Sequence, residues 1–318
     1  MALSSAFIQD LERLGAVLRD EPMARHTSMH IGGSAEAYVA VHDCTRLAAV
    51  LRLAARAEVT PFVMGGGSNL LVSDAGLPGL VVETWSNLDA LALHPPAPDP
   101  NVPGGFRLHT FCGVPLPRLA HQTAKAGFTG MEWAAGIPGT VGGGLVNNAG
   151  AHGGCMADCV IDALVFMDGE ERLIPGVELG FSYRHSHLRG SWSGRRPPVV
   201  VLAATLGLRA AAPADAERRV QECLDYRKNT QPSQRSVGSI FKNPPGDAAG
   251  RLIEQAGLKG TRFGDAEISP VHANFIVNRG KATAADVNAL VALVQSRVRD
   301  AFGIELELEI QRVGAHHG

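Results

Sequence analysis

Apolar residues recur along this chain with two periods, and the switches between them outline its elements. MALSSAFIQDLERLG at the N-terminus carries its apolar side chains at helical spacing and predicts an amphipathic helix. Leu47, Val50, Leu51 and Ala54 repeat that spacing over 43–57, with Asp43 in place as the N-cap. Helices are predicted again over 116–126, 214–228, 248–257 and 283–302. The last opens on Thr283 with Asp286 three residues later, as in a capping box, and stops at Gly303. Short apolar runs at 37–41, 80–82, 199–208 and 274–277 predict strands. Over 304–313 the period becomes two, which predicts a final strand. Leu306, Leu308 and Ile310 share one face, and Glu305, Glu307, Glu309 and Gln311 the other. The expected fold class is α+β, in three parts: 1–88, a mostly β part over 89–210 that begins near a proline-rich loop at 94–105, and 211–318 beyond a linker.

Two stretches follow neither period. Residues 130–154, GMEWAAGIPGTVGGGLVNNAGAHGG, place Gly136, Gly139, Gly142, Gly143, Gly144 and Gly150 within fifteen positions. Glycine costs backbone entropy and buries no side chain, so such density implies positive φ or close backbone approach. Runs of exposed backbone N–H groups cradle phosphates and dipolar rings. The small Ala134, Ala135, Thr140, Ala149 and Ala151 leave room for something large to lie flat. Upstream, PFVMGGGSNLLV reads as a strand, a triple-glycine turn and a second strand. It is not the dinucleotide fingerprint, because the last glycine of G-x-G-x-x-G counted from Gly65 would fall on Leu70. Two such loops without a Rossmann pattern imply one large ligand held between two subdomains.

Composition narrows the class. With 45% hydrophobic and 19% charged residues the chain has globular values, and a formal net charge of −2 gives no field that favours nucleic acid or an anionic membrane. No apolar run of eighteen or more occurs, and the N-terminus lacks the basic and apolar regions of a signal peptide. The expectation is a soluble, cytoplasmic monomer acting on small molecules. Cys44, Cys112, Cys155, Cys159 and Cys223 are too scattered for a disulfide framework. His152, Cys155 and Cys159 form the one cluster resembling metal ligands but lack a second pair at zinc spacing, so no metal is expected.

Three sets of polar residues stand outside the glycine loops. Tyr183-Arg184 follows Leu179-Gly180 in a loop, and by itself suits an exposed turn as well as a site. Ser239-Ile240-Phe241-Lys242-Asn243-Pro244 groups a hydroxyl, a point-charge phosphate binder, and an amide that both donates and accepts. The alternating glutamates at the C-terminus form either a solvated face or a source of a carboxylate, and alternation alone does not choose among them.

In this order, GGGSNLLV, GIPGTVGGGLVNNAGAHG, YRHS, GSIFKNP, AGRLIEQAGLKG and a terminal LELEIQRVG, the chain resembles the UDP-N-acetylenolpyruvoylglucosamine reductase family over about 27–314. The resemblance implies a two-part FAD-binding domain of the vanillyl-alcohol-oxidase type and a C-terminal substrate domain, with NADPH as reductant. It implies that non-covalent FAD lies at Gly65, Gly66, Gly67, Ser68, Asn69 and Leu70, and at Gly136, Ile137, Pro138, Gly139, Thr140, Gly142, Gly143, Asn147, Ala149, Gly150 and Tyr183. Ser239 matches the family's proton donor, and Arg184 and Glu309 match the residues flanking the substrate's carboxylate and enol. Lys242 and Asn243 match contacts to the UDP portion, and Arg227, Arg251 and His272 join them on the substrate side. Where the family often has Glu-Val-Arg this chain has Glu309-Ile310-Gln311-Arg312, which leaves Arg312 without an assigned role. Only Pro245-Gly246-Asp247 separates Pro244 from Ala248, so the chain is similar to the subclass lacking a tyrosine-bearing lid. A flavin oxidase of the same fold and a non-catalytic flavin binder are the alternatives. The first often tethers flavin through a histidine or cysteine that GGGSNLL lacks.

Overall fold

The structure is a computed structural model that describes residues 3–87, 89–189 and 199–315. The chain divides into two compact units, one built from 1–18, 38–66 and 79–227, the other from 19–37, 67–78 and 228–318. The division falls inside the strands Ser34–Val41 and Leu77–Thr84 and inside the triple-glycine turn. The α-helices among the described residues are α1 Ser5–Leu14, α2 Cys44–Arg56, α3 Ala90–Leu93, α4 Leu116–Lys125, α5 Val141–Asn147, α6 Pro213–Thr230, α7 Ala249–Gln255 and α8 Ala284–Phe302.

In the first unit the strands Glu170–Pro175, Val160–Met167, Val200–Ala210, Gly105–Phe111 and Ala97–Pro98 lie side by side in that order, each pair antiparallel. Phe128–Thr129 adds to the end of Val200–Ala210. Phe62–Met64 pairs in parallel with Val81–Glu83. Asp43 caps α2 by accepting from the Arg46 amide at 2.8 Å, and α2 buries Leu47, Val50, Leu51 and Ala54, the stripe its spacing predicted.

The glycine-rich 130–154 is more regular than an open loop. It contains α5 and a tight hairpin, Gly150–Ala151 against Gly154–Cys155. A Cβ on Gly142 would lie 3.0 Å from the Cys112 Cβ, and one on Gly144 would lie 3.1 Å from Leu116 Cδ1. These glycines serve close packing of a short helix.

The second unit pairs Arg235–Ser239, Phe275–Asn278, Ala266–Ile268 and Arg262–Phe263 antiparallel in that order. Met29, Leu71, Phe241, Leu252, Leu290 and Leu306 belong to one buried apolar cluster in it. α8 carries the expected capping box of Thr283 and Asp286. The Asp74 carboxylate adds to it, accepting from the Ala284 and Ala285 amides at 2.8 and 3.0 Å at the positive end of the helix.

The predicted final strand over 304–313 is mostly absent. Only Gln311–Val313 is a strand, parallel to Leu70–Val72. Upstream the segment faces the bend at Ile240 and the irregular residues after it rather than a regular strand, and its ladder is limited to Lys242 N–H on Glu307 O, Glu309 N–H on Ile240 O, and a single Phe241–Leu308 bridge. The alternation nonetheless marked burial correctly, since Leu306 and Ile310 are buried. Among the described residues no helix is long and apolar enough to cross a membrane.

Candidate active site

In the first unit the two glycine stretches meet at Thr140. This buried residue caps α5, its Oγ1 accepting from Gly143 N at 3.5 Å, and a Cβ on Gly65 would stand 2.4 Å from that same oxygen. A Cβ on Gly66 would fall 2.5 Å from the Trp85 ring. Backbone bonds fix the approach to α5, with Leu116 N–H on Gly139 O at 3.0 Å, Val141 N–H on Val114 O at 2.9 Å, and Gly142 N–H on Cys112 O at 2.8 Å. Ile137 is pinned to Ala134 O at 3.0 Å, and Pro138 beside it is exposed. Gly143 faces outward, where a Cβ would meet nothing nearer than Thr140 Oγ1 at 3.8 Å. Arg227, expected at the substrate, instead donates from Nη1 to Gly136 O, and burial of its guanidinium lowers its pKa. It braces the glycine-rich stretch.

α5 ends on Asn148, which is left-handed at φ 43° and buried. Its Nδ2 donates to Ser182 O at 2.9 Å and its Oδ1 accepts from Ala157 N at 3.1 Å, so one amide ties the helix end to the turn carrying Arg184. Ser182 and His185 close that turn by reciprocal backbone bonds of 3.0 and 3.1 Å. Arg184 itself sits at φ 54°, donates from Nη1 to Gly150 O at 3.0 Å, and lies 5.6 Å over the exposed Tyr183 ring. Arg189 Nη1 in turn holds Arg184 O at 2.7 Å. The sequence reading chose Asn147, whose amide instead donates back to Gly143 O at 3.0 Å. Asn148 was missed, although an asparagine before Ala-Gly at a helix end is a C-cap signal.

In the second unit Ser239 ends its strand after an irregular step at Gly238, where φ is +77°. The next residues are fixed by buried Asn274, whose Oδ1 accepts from Phe241 N at 2.9 Å and whose Nδ2 donates to Phe241 O at 2.8 Å. Asn274 O also accepts from Ile240 N at 2.9 Å. Sequence reasoning missed Asn274, since nothing local announces it. Lys242 pairs with the exposed Glu307, while Asn243 Oδ1 accepts from Ala249 N at 3.1 Å at the start of α7.

The structure separates the three glutamates. Glu305 is exposed beside Arg299, Glu307 is exposed beside Lys242, and Glu309 is half-buried with its N–H on Ile240 O. Arg251 lies on the exposed face of α7, engaged with Asp247 and Gln255. The His272 ring stacks edge-on against Phe275, and its Nδ1 accepts from Asn274 N at 3.2 Å. Burial, aided by Lys259, lowers its pKa. Ser239, Lys242, Asn243, Glu309 and His272 are thus gathered in the second unit, and Arg184 and Tyr183 belong to the first. Arg312 is exposed on the last strand.

His152 packs edge-on against Tyr226 at 5.2 Å, and burial pushes the Cys159 thiol up to about 12. Among the described residues no group of three or more histidine, cysteine or carboxylate side chains is arranged to hold a metal ion.

Residues 35–173 match the FAD binding domain family, and residues 231–313 match the UDP-N-acetylenolpyruvoylglucosamine reductase C-terminal domain. UDP-N-acetylenolpyruvoylglucosamine reductase 2 of Symbiobacterium thermophilum is 46% identical over 94% of this chain and 95% of its own length. The chain belongs to the UDP-N-acetylenolpyruvoylglucosamine reductase family. A second reductase of that name, from Chloroflexus aggregans, is 43% identical over 94% of this chain and 99% of its own. The crystal structure of the Thermus caldophilus family member aligns with a TM-score of 0.73 at 36% identity, over 93% of this chain and 98% of that one. A VAO-type flavoprotein from Myceliophthora thermophila, at 13% identity and a TM-score of 0.54 over 94% of this chain and 85% of its own, shares the fold alone.

The chain is an FAD-containing oxidoreductase, α+β in class, with an FAD binding domain and the family's C-terminal domain, in a fold shared with a VAO-type flavoprotein. The residues present suit the cofactor. Gly65 and Gly66 pack without side chains against Thr140 and Trp85, and the outer face of Gly143 is left open. A side chain added at any of these three would occupy or distort a backbone surface suited to a dinucleotide.

Proposed function

We propose that this chain reduces the enolpyruvyl group of UDP-N-acetylglucosamine enolpyruvate to give UDP-N-acetylmuramate, a peptidoglycan precursor, with NADPH as the electron source. The observation that carries this reading is the joint presence of Arg184, Ser239, Lys242 and Glu309 in a chain 46% identical to a reductase of that name. When bound, FAD supplies hydride to the terminal enolpyruvyl carbon. Gly65 to Leu70 and the 136–150 stretch would hold it, with Tyr183 at their side. Residues 1–88 and 89–210 serve the flavin and 211–318 the substrate in this reading. The reaction is assigned to the cytoplasm and the protein to a monomer.

Arg184 binds the substrate carboxylate, into which negative charge spreads as hydride arrives. Its planar guanidinium suits a carboxylate, and it is already oriented by Gly150 O and Arg189. Ser239 gives its hydroxyl proton to the carbon adjacent to the one that received hydride. A positioned proton donor contributes roughly 10²–10⁴-fold. Glu309, when protonated, donates a hydrogen bond to the enolate-like oxygen. Lys242 meets the diphosphate as a point charge. Asn243, Arg227, Arg251 and His272 are assigned to the substrate, with Arg227 also bracing Gly136 O.

No second nucleotide-binding motif occurs in the sequence, so NADPH and the enolpyruvyl substrate take turns at one flavin and the kinetics are ping-pong. Anaerobic stopped-flow absorbance at the flavin band tests this. NADPH should bleach it and UDP-N-acetylglucosamine enolpyruvate should restore it, with Ser239→Ala slowing recovery but not bleaching. Recovery with oxygen alone would show the substrate assignment to be wrong.

A further inference from the structure

We infer that Asn69, although it sits in the triple-glycine turn, is a positioning residue for Glu309. Asn69 Nδ2 donates to Glu309 O at 3.2 Å, and Asn69 O accepts from Gln311 N at 2.9 Å. On the other side, Glu309 N–H donates to Ile240 O at 2.8 Å, and Ile240 directly follows Ser239. Both backbone polar groups of Glu309 are therefore engaged, one by Asn69 and one by the neighbour of the proton donor.

The parallel ladder by itself does not reach Glu309. It runs from Leu70–Gln311 to Val72–Val313, so Glu309 lies two residues before it begins. The Asn69 amide extends the constraint across that gap. The turn that presents Asn69 is itself fixed. Gly67 stands at φ +60°, where a Cβ would come 2.2 Å from His26 O, and Gly67 O accepts from Ser28 N at 3.3 Å. An asparagine at this site thus sets where a carboxylate 240 residues away stands.

The inference rests on the proposed role of Glu309, and the experiment separates the two. Asn69→Asp keeps the shape but replaces the donor with an acceptor, setting it against Glu309 O. Asn69→Ala removes the group. Each is compared with Glu309→Gln and with the double variants by FAD titration, thermal melting and anaerobic stopped flow. The expected result, read on enzyme saturated with FAD, is recovery by the enolpyruvyl substrate slowed roughly tenfold to a hundredfold, the cost of a misplaced group, and slowed more than bleaching by NADPH is. The double variants should be no slower than Glu309→Gln alone. Weakened FAD binding with normal recovery of the loaded fraction would overturn the inference, as would slowing that multiplies in the double variants. If Glu309→Gln recovers at the normal rate while the Asn69 variants are slow, the reading of Glu309 fails on its own.

Discussion

The turn that carries Arg184 runs beside an exposed Tyr183, closed by two backbone bonds and the single amide of Asn148. The segment after Ser239 runs through the interior. There Phe241 is 1% exposed and Asn274 supplies three hydrogen bonds to it and to Ile240. Each asparagine ties a chemical residue to a distant piece of backbone. The surroundings set the consequences. A group freed at a surface turn finds water, whereas one freed in an apolar core finds nothing and carries its full desolvation penalty. The arginine side is therefore adjustable without loss of the fold, and the serine side is built into it.

The comparison breaks most directly at Arg184. Arg184→Lys keeps the charge and loses the planar fork, and should slow recovery of oxidised flavin by the enolpyruvyl substrate about 10²–10³-fold. Its melting temperature should stay at the wild-type value, and a large drop would contradict the surface reading. Next comes Asn274→Ala, which should cost about 2–4 kcal/mol in urea unfolding because two buried peptide groups of Phe241 lose their partners. Asn148→Gly keeps the left-handed cap and removes the equivalent amide, and should cost only about 1 kcal/mol. Equal losses at Asn148 and Asn274 would erase the distinction.

The smallest effect concerns His272, which accepts the Asn274 N–H. Its folded pKa is held below the ordinary 6.5 by burial. In acid the unfolded chain therefore binds the proton more readily, and stability falls as pH drops through 6.5 towards the folded pKa. His272→Gln should flatten the slope of melting temperature against pH in that window. An unchanged slope would show that another group carries it.

Features whose causes are local were legible in the sequence. The caps of α2 and α8 are read from side chains within three residues of each helix start. The glycine stretches were legible as places of close backbone approach, which Gly65, Gly66, Gly142 and Gly144 make. Roles fixed by distant partners were not legible. Asn274 acts across 33 residues, Asn148 across 34 and Asn69 across 240, and no pattern along the chain marks which amide will find a far carbonyl. Arg227 was expected on the substrate side, and only the fold shows its guanidinium on Gly136 O. The final strand was misjudged for a related reason. Alternation reports which face is buried, but a strand also needs a regular extended partner, and 304–310 faces a bend at Ile240.

The pairing of Leu70–Val72 with Gln311–Val313 also dictates an order of events during synthesis. When Leu70–Val72 leaves the ribosome, its strand partner has not yet been made, and neither has most of the core that Met29, Ile31 and Leu71 share with the C-terminal segments. These early segments wait as unpaired strand edge and apolar surface until Gln311–Val313 has been made, which exposes them to chaperones or to mispairing. The arginine turn, in contrast, has every partner named here within residues 148–189. The nascent chain can complete that turn early, while Glu309 takes its place only after 304–313 has been made.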